Sequence, residues 1–450
     1  MLFGAASNKC WSVVWKMKKV ESPISSISLK YPTYRDDFVK TSKRWLEGKR
    51  IDDNAEGLWR IHDKLYDVSD FVDRHPGGAE WLSMTKGVDI TEQFETHHIG
   101  PKAEQMLVKF YVREAALPRN YNLTFDDAGF YRTLKRKVAD KIGDLDKSPV
   151  KISNMISDLV LGLVFASAVL AVKDNNVYLA LLSGLLLNWM FVIAHNYFHQ
   201  KNNWRMLCFN LSLFNYREWR VSHAMSHHLY TNSYYDMEIS IFEPWLQWIP
   251  RPKTTFQKIA GPVLSPLVWA VLIKYTAVAR TIGYFTKREE FKLDHLIPLA
   301  LPIAMFYFGK SDIMLVLKFW AIITASCSFF VGVVGLNAGH HHPDVAHEGD
   351  ELNETRDFGI FQMTAVIDRR DVKVNQFWTL VSFGQHTLHH LFPTIDHGLL
   401  PQLNETFLET CKEFQVELRE YSWWPIIVGQ FKQLQRDKPK TLKEMKYIRT

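Results

Sequence analysis

The chain has 450 residues, with 54 basic and 48 acidic side chains and a formal charge of +6. This small, dispersed excess argues for no nucleic-acid partner. Nearly half of the residues are hydrophobic while the mean hydropathy stays slightly negative, which suits a few membrane spans joined to large water-exposed parts.

Residues 1–45 are basic and aperiodic and read as a flexible or loosely packed arm. Lys16, Lys18 and Lys19 interrupt the apolar run after Cys10, so no signal peptide is expected. Residues 46–116 alternate short apolar runs with Gly, Pro and Asp, the pattern of a small α+β domain. Residues 117–150 read as a charged linker with one helix over 129–142. Runs 152–172 and 177–194 are apolar enough to cross a hydrocarbon core about 30 Å thick, and the short KDNN between them makes a helical hairpin. Runs 296–309 and 319–336 suggest a second hairpin, and 259–273, bracketed by Lys258 and Lys274, suggests an interfacial or half-inserted segment. Residues 431–450 form a basic tail. The basic arm, the 195–292 segment and the tail all favour the cytosol. On that topology the sequons at Asn122, Asn210, Asn353 and Asn404 carry no glycan. Cys10, Cys208, Cys327 and Cys411 lie far apart without C-x-x-C, so neither a disulfide framework nor a thiolate metal site is expected.

Histidine is the unusual count, at 18. HNYFH supplies His195 and His199, HAMSHH supplies His223, His227 and His228, and HTLHH supplies His386, His389 and His390. Spacings of three and four residues put imidazoles on one helix face. The first cluster follows the second span directly, and the third lies beyond the fourth. Two hairpins can therefore bring all three together on the cytosolic side. Imidazole suits iron, zinc or copper. Eight histidines exceed one ion's needs, so two metals sharing them is the economical reading.

These boxes resemble the membrane fatty acid desaturase and hydroxylase family, whose signature is HxxxH, HxxHH or HxxxHH, and (H/Q)xxHH. The resemblance covers about residues 150–430 and includes HHLYTNSYYDMEI after the second box and LFP after the third. It implies a di-iron centre, two iron ions held almost wholly by histidine. It also implies a further ligand before the third box, for which His340, His341 and His342 in GLNAGHHHPD are the candidates. Asn232 either supports the site through water or is a helix-terminal polar residue. His62, His295, His347 and His397 read as ordinary.

LYDVSDFVDRHPGGAEWLSMTKGVDITEQFETHH, residues 65–98, resembles cytochrome b5. That resemblance implies haem b held by two axial histidines. His75 in HPGG matches the first. His98 is the better match for the second, ending an F-x-x-x-H unit from Phe94, with His97 as the fallback. Filled axial positions leave a haem that passes one electron at a time.

The expected architecture is a small α+β cytochrome b5-like haem domain followed by an all-α membrane desaturase domain. The latter has about four transmembrane helices in two hairpins under a cytosolic histidine-rich cap. The two resemblances together imply an O2-dependent fatty acyl desaturase of the endoplasmic reticulum membrane with both termini cytosolic. Its substrate would be a fatty acyl-CoA or acyl-lipid drawn from membrane lipid. Its electrons would come from an NADH-dependent cytochrome b5 reductase, because the chain has no GxGxxG of its own. The chain also resembles the insect cytochrome b5-related proteins, a branch with both modules. His386, with Gln385 beside it, departs from the Gln that begins this box in many desaturases with a fused b5 domain. Two other readings stand beside this one: a lipid hydroxylase with the same metal chemistry, and a membrane electron carrier with an inactive desaturase module.

Overall fold

The computed structural model describes residues 25–37, 39–243, 245–286, 290–352 and 355–445. Cys10, residues 1–24 of the arm, Asn353 and residues 446–450 of the tail lie outside the described residues.

The amino-terminal domain is built on a three-stranded antiparallel sheet of Trp59–Ile61, Lys64–Tyr66 and Tyr111–Glu114. Its register pairs Trp59 with Tyr66, and Tyr66 with Tyr111. Short helices Ala79–Met84, Thr91–His97 and Lys102–Leu107 cover it. Trp59, Ile61, Tyr66, Val68 and Phe94 form its own small core.

The flanking segments are less loose than their composition suggests. Within the arm, Ile27, Tyr34 and Trp45 are buried in the main core. The Tyr34 hydroxyl donates to the Tyr234 carbonyl at 2.9 Å, and Arg35 pairs with Glu243 at 2.9 Å. The expected linker does contain a helix, Phe130–Lys141. Tyr121, Phe125 and Tyr131 around it also join the main core, so the segment is a packed wedge between the domains. A few aromatics among many charges set this outcome, because each buries a large apolar area.

Four helices of the second domain are long and apolar enough to cross a membrane: Ser148–Lys173, Val177–Phe198, Thr255–Phe285 and Ile313–Val334. The helical hairpin Ser148–Phe198 is the expected one, opened by the Asn176 side chain accepting from the Tyr178 and Leu179 amides. The third long helix corrects the sequence reading. Thr255–Phe285 runs unbroken for 31 residues although only 259–273 is strongly apolar. A Thr254–Gln257 capping box starts it, and Pro262 and Pro266 stay within it. The expected third span falls instead on a shorter apolar helix, Leu293–Gly309. Both ends of Thr255–Phe285 are tied to the cap, by Lys258–Asp437 at 2.5 Å and Arg280–Glu218 at 2.6 Å. Gly309, by contrast, packs against Val169 and Val172, next to the turn of the first hairpin. Asn210 is buried and donates to the Asp294 carbonyl at 3.0 Å, which leaves its side chain closed to glycosylation.

Candidate metal centre

All eight box histidines are buried. Each box uses a different local geometry to aim them. The first ends helix Val177–Phe198, where His195 and His199 are one turn apart with their Nε2 atoms at 2.9 Å. The second lies on a π-helical stretch, Arg220–His227. The wider turn brings residues five apart onto one side, which an α-helix would not do. The Nε2 atoms of His223 and His228 accordingly lie 3.0 Å apart, while His227 faces elsewhere. The third opens the short helix His386–Leu391. Phe383 and Gly384 before it have positive φ, and the Phe383 ring packs on His195 and His386. A bulky side chain in that region is a strained choice of the kind that accompanies functional sites.

The histidines form two adjacent groups. His195, His199, His223, His228 and His389 make the first. His227, His340 and His390 make the second, and His386 joins it through a 2.7 Å Nε2–Nε2 contact with His340. Contacts in the first group run from 2.8 Å between His195 and His223 to 3.3 Å between His195 and His389. Nitrogens bound to one ion at about 2.1 Å and at right angles are about 3 Å apart, so the donor set fits. The Nδ1 atoms of His195, His199, His228 and His389 are buried without a hydrogen-bond partner. A proton on each Nδ1 leaves the Nε2 lone pairs converging on a common point, as a metal requires.

The surrounding residues fix several rings. Glu238 lies 2.8 Å from His223 Nδ1, and Asp236 lies 2.9 Å from His227 Nδ1. Gln362 Oε1 is 3.2 Å from His390 Nδ1, and the Ala365 carbonyl is 3.1 Å from His340 Nδ1. Such partners set the tautomer and make the far nitrogen a better ligand. Burial, with the charge the histidines would place on one another, pushes His228, His340, His386, His389 and His390 well below the usual imidazole range. They are therefore neutral, the ligating form. His227 is the exception. Burial pushes it down, but Asp236 and Glu238 outweigh burial and raise it to about 8.

Of the three candidates in GLNAGHHHPD, only His340 reaches either group. His341 stacks on Trp248 at 4.2 Å, and His342 packs beside Tyr421 and Gly429. Asn232 holds the loop in place, donating to the His340 and Ala346 carbonyls at 3.0 Å each. Its Oδ1 is buried without a hydrogen-bond partner. His397, read as ordinary, joins neither group, although its ring lies 4.3 Å from His389 and 5.8 Å from His195. Sequence reasoning missed Asp236, Glu238 and Gln362. The acidic pair eight and ten residues beyond His228 was the available signal; Gln362 had none.

In the amino-terminal domain, His75 and His98 face each other with ring centres 6.2 Å apart. Each anchors its Nδ1 on a backbone carbonyl at 3.0 Å, Gly78 for His75 and Phe94 for His98. That leaves both Nε2 atoms for the gap. One iron held axially by both, with bonds of about 2 Å, places ring centres about 6 Å apart, so the pair fits a haem. His97 turns away and packs edge-on against Trp81 at 5.5 Å. Gly78 has φ +111°, and a Cβ there would lie 2.7 Å from the Asn202 amide nitrogen, so the turn that anchors His75 abuts the segment after the first box.

The fatty acid desaturase model matches residues 176–422, more than half of the chain. The chain belongs to the fatty acid desaturase family. A cytochrome b5-like haem/steroid binding domain matches residues 44–116 in front of it. The chain is 44% identical to the Drosophila melanogaster cytochrome b5-related protein, over 92% of this chain and 96% of that one. It is 25% identical to an acyl-lipid (8-3)-desaturase of Mortierella alpina over 79% of this chain and 88% of that one. It is 23% identical to a probable Delta(5) fatty acid desaturase of Dictyostelium discoideum, over 86% and 92%. No solved structure matches. The b5 domain implies a haem, the histidine groups are compatible with metal, and the four apolar helices suit a membrane protein.

Proposed function

We propose that this protein is a membrane-bound lipid desaturase that draws electrons through its own b5 haem to a di-iron centre held by histidine. The observation that carries the reading is the convergence of eight box histidines and His340 into two adjacent groups beside the docked b5 domain. Iron would be held by His195, His199, His223, His228 and His389 on one side, and by His227, His340, His386 and His390 on the other. Bound there, the metal pair supplies O2 activation. In the balanced reaction, an acyl –CH2–CH2– unit, O2, two electrons and two protons give –CH=CH– and two waters.

The chain's own residues do the rest. Glu238 and Asp236 hold the Nδ1 protons of His223 and His227. Gln362 and the Ala365 carbonyl orient His390 and His340. Full burial of the histidines excludes bulk water from the reacting region. An NADH-dependent cytochrome b5 reductase would resupply the haem, and the acyl chain would arrive from membrane lipid or CoA. An apolar groove of about 590 Å³ lies between Leu181, Leu185, Ile322 and Phe329. It sits about 15 Å down the helix from His195 at the usual rise per residue, so it belongs to the membrane flank and not to the metal pocket.

We place the protein in the endoplasmic reticulum membrane with the cap and both termini cytosolic. Helix Thr255–Phe285, tied to the cap at both ends, then lies along the membrane face. Leu293–Gly309 and Ile313–Val334 form the second hairpin, its turn beside that of the first.

Lipid mass spectrometry on desaturase-deficient yeast tests the reading, with a His389→Ala, His390→Ala variant as control. A new lipid lighter than its precursor by two hydrogens, absent from the control, is the expected result. A gain of one oxygen would replace the desaturase by a hydroxylase. Unchanged lipids in protein that holds haem but no other iron would leave an electron carrier.

A further inference from the structure

Between the haem-ligand pair and the first histidine group, one line of side chains is filled without a gap. His97 follows the protein backbone directly into His98. Its Nδ1 is held 3.0 Å from the Gln93 carbonyl, and its Nε2 is buried with no hydrogen-bond partner. Its ring meets the buried Trp81 at 5.5 Å. The guanidinium of Arg220 covers Trp81 at 4.7 Å. Arg220 is itself fully buried, and its Nε donates to the Phe198 carbonyl at 3.1 Å. The Phe198 ring stacks on His199 at 4.9 Å and meets His195 at 5.2 Å. A second line runs beside it. Gly78, whose carbonyl anchors His75, abuts Asn202, and Asn202 Oδ1 accepts from Arg220 Nη2 at 2.9 Å. Both lines meet at Arg220.

Several polar contacts join the two domains beside this line. Glu80, one residue before Trp81, pairs with Arg220 at 2.9 Å and also with Arg217. The Tyr131 hydroxyl bridges the two domains, shared between the Glu95 carbonyl at 3.2 Å and the Leu391 carbonyl at 3.1 Å. Buried Lys49 reaches the Tyr121 hydroxyl at 2.6 Å and the Tyr230 hydroxyl at 3.0 Å. A donor on a free tether would need none of these contacts.

We propose that His97, Trp81 and Arg220 form the conduit by which single electrons cross from the docked b5 domain to the metal centre. This rests on the function proposed above. Each crossing oxidises a ferrous haem to ferric and reduces one metal ion of the centre by one electron. A one-electron reductant, the reductase proposed above in the cell or dithionite in the cuvette, restores the haem, and two crossings serve one turnover. Packed and bonded atoms attenuate electron tunnelling less than a gap does, so the atoms that fill the gap control the rate. His97 and Trp81 are positioning residues in this sense, since neither belongs to the haem-ligand pair or to the two histidine groups.

The test uses the full-length, haem- and iron-loaded protein in detergent. The haem is reduced stoichiometrically with dithionite, mixed with O2, and its reoxidation followed optically. Chelated, iron-free protein gives the background. Trp81→Leu and His97→Leu should each slow the iron-dependent phase on the order of tenfold or more, and Trp81→Phe should restore most of the rate. The haem spectrum, haem midpoint potential, iron content and amide-exchange protection of residues 195–204 should stay as in the wild type. Those readouts separate loss of the conduit from loss of docking. Unchanged reoxidation in both leucine variants, with haem and iron in place, would overturn the conduit alone. Wild-type protein whose haem reoxidises no faster with iron than without it would overturn the conduit and the function it rests on.

Discussion

The Nδ1 of His227 lies 2.9 Å from the Asp236 carboxylate, on the side of the ring away from the second histidine group. Asp236 thereby sets which nitrogen is free for metal. Asp236→Asn is expected to lower metal affinity about ten- to a hundredfold while the b5 haem stays in place. Iron content and haem absorbance of the purified variant check this together.

The same pair imposes a pH dependence. Burial lowers His227 basicity, but Asp236 and Glu238 outweigh it and raise the value to about 8. Below that pH the metal-free protein carries a proton on His227 that a metal must displace. Metal uptake should therefore weaken as pH falls through about 8, and the dependence should move to lower pH in Asp236→Asn. Titrating metal-free protein at several pH values gives the answer; a flat profile in both proteins would count against it.

Glu95 fastens the b5 domain to the rest of the chain. Burial would raise its carboxyl, but the His62 hydrogen bond and the Lys135 and Arg132 side chains outweigh burial and hold it well below the usual range. Its folded value lies below the unfolded one of about 4.3, so its contribution is present above that pH and fades as pH falls beneath it. Glu95→Gln should cost about 3 kcal/mol at neutral pH, as when one partner of a buried pair is removed. Denaturant melts at pH 7 and below pH 4 should show that penalty shrinking in acid.

His340 should behave unlike its neighbours. His340→Ala should lose metal, whereas His341→Ala and His342→Ala should retain it. Gly339 has φ +116°, and a Cβ there would run into the Ile367 carbonyl oxygen. Gly339→Ala should then destabilise by at least about 2 kcal/mol and reduce iron content as well. Equal iron in all four variants would refute the assignment.

For the haem, His75→Ala and His98→Ala should abolish the b5 spectrum, while His97→Ala should keep it. A haem lost from His97→Ala and kept in His98→Ala would exchange their roles.

The sequence by itself determined what is written in short spacings. Boxes of three and four residues, HPGG, and the apolar runs of the first hairpin depend on local helix and turn geometry, which neighbouring residues set. The sequence also placed a helix near 129–142, because its charged and apolar residues alternate with helical period. It could not separate His340 from His341 and His342, because consecutive residues differ only in direction, and direction here comes from Asn232 and Trp248. It overlooked Gln362 and the packing of Ile27, Tyr34 and Trp45, whose partners lie tens to hundreds of positions away. It misjudged the length of Thr255–Phe285, because a capping box and end contacts to Glu218 and Asp437 extend that helix beyond its apolar centre. Only the tertiary structure decided that the b5 domain sits docked with Trp81 under Arg220, since burying that surface and its ion pairs is a property of two distant segments meeting, not of either one alone.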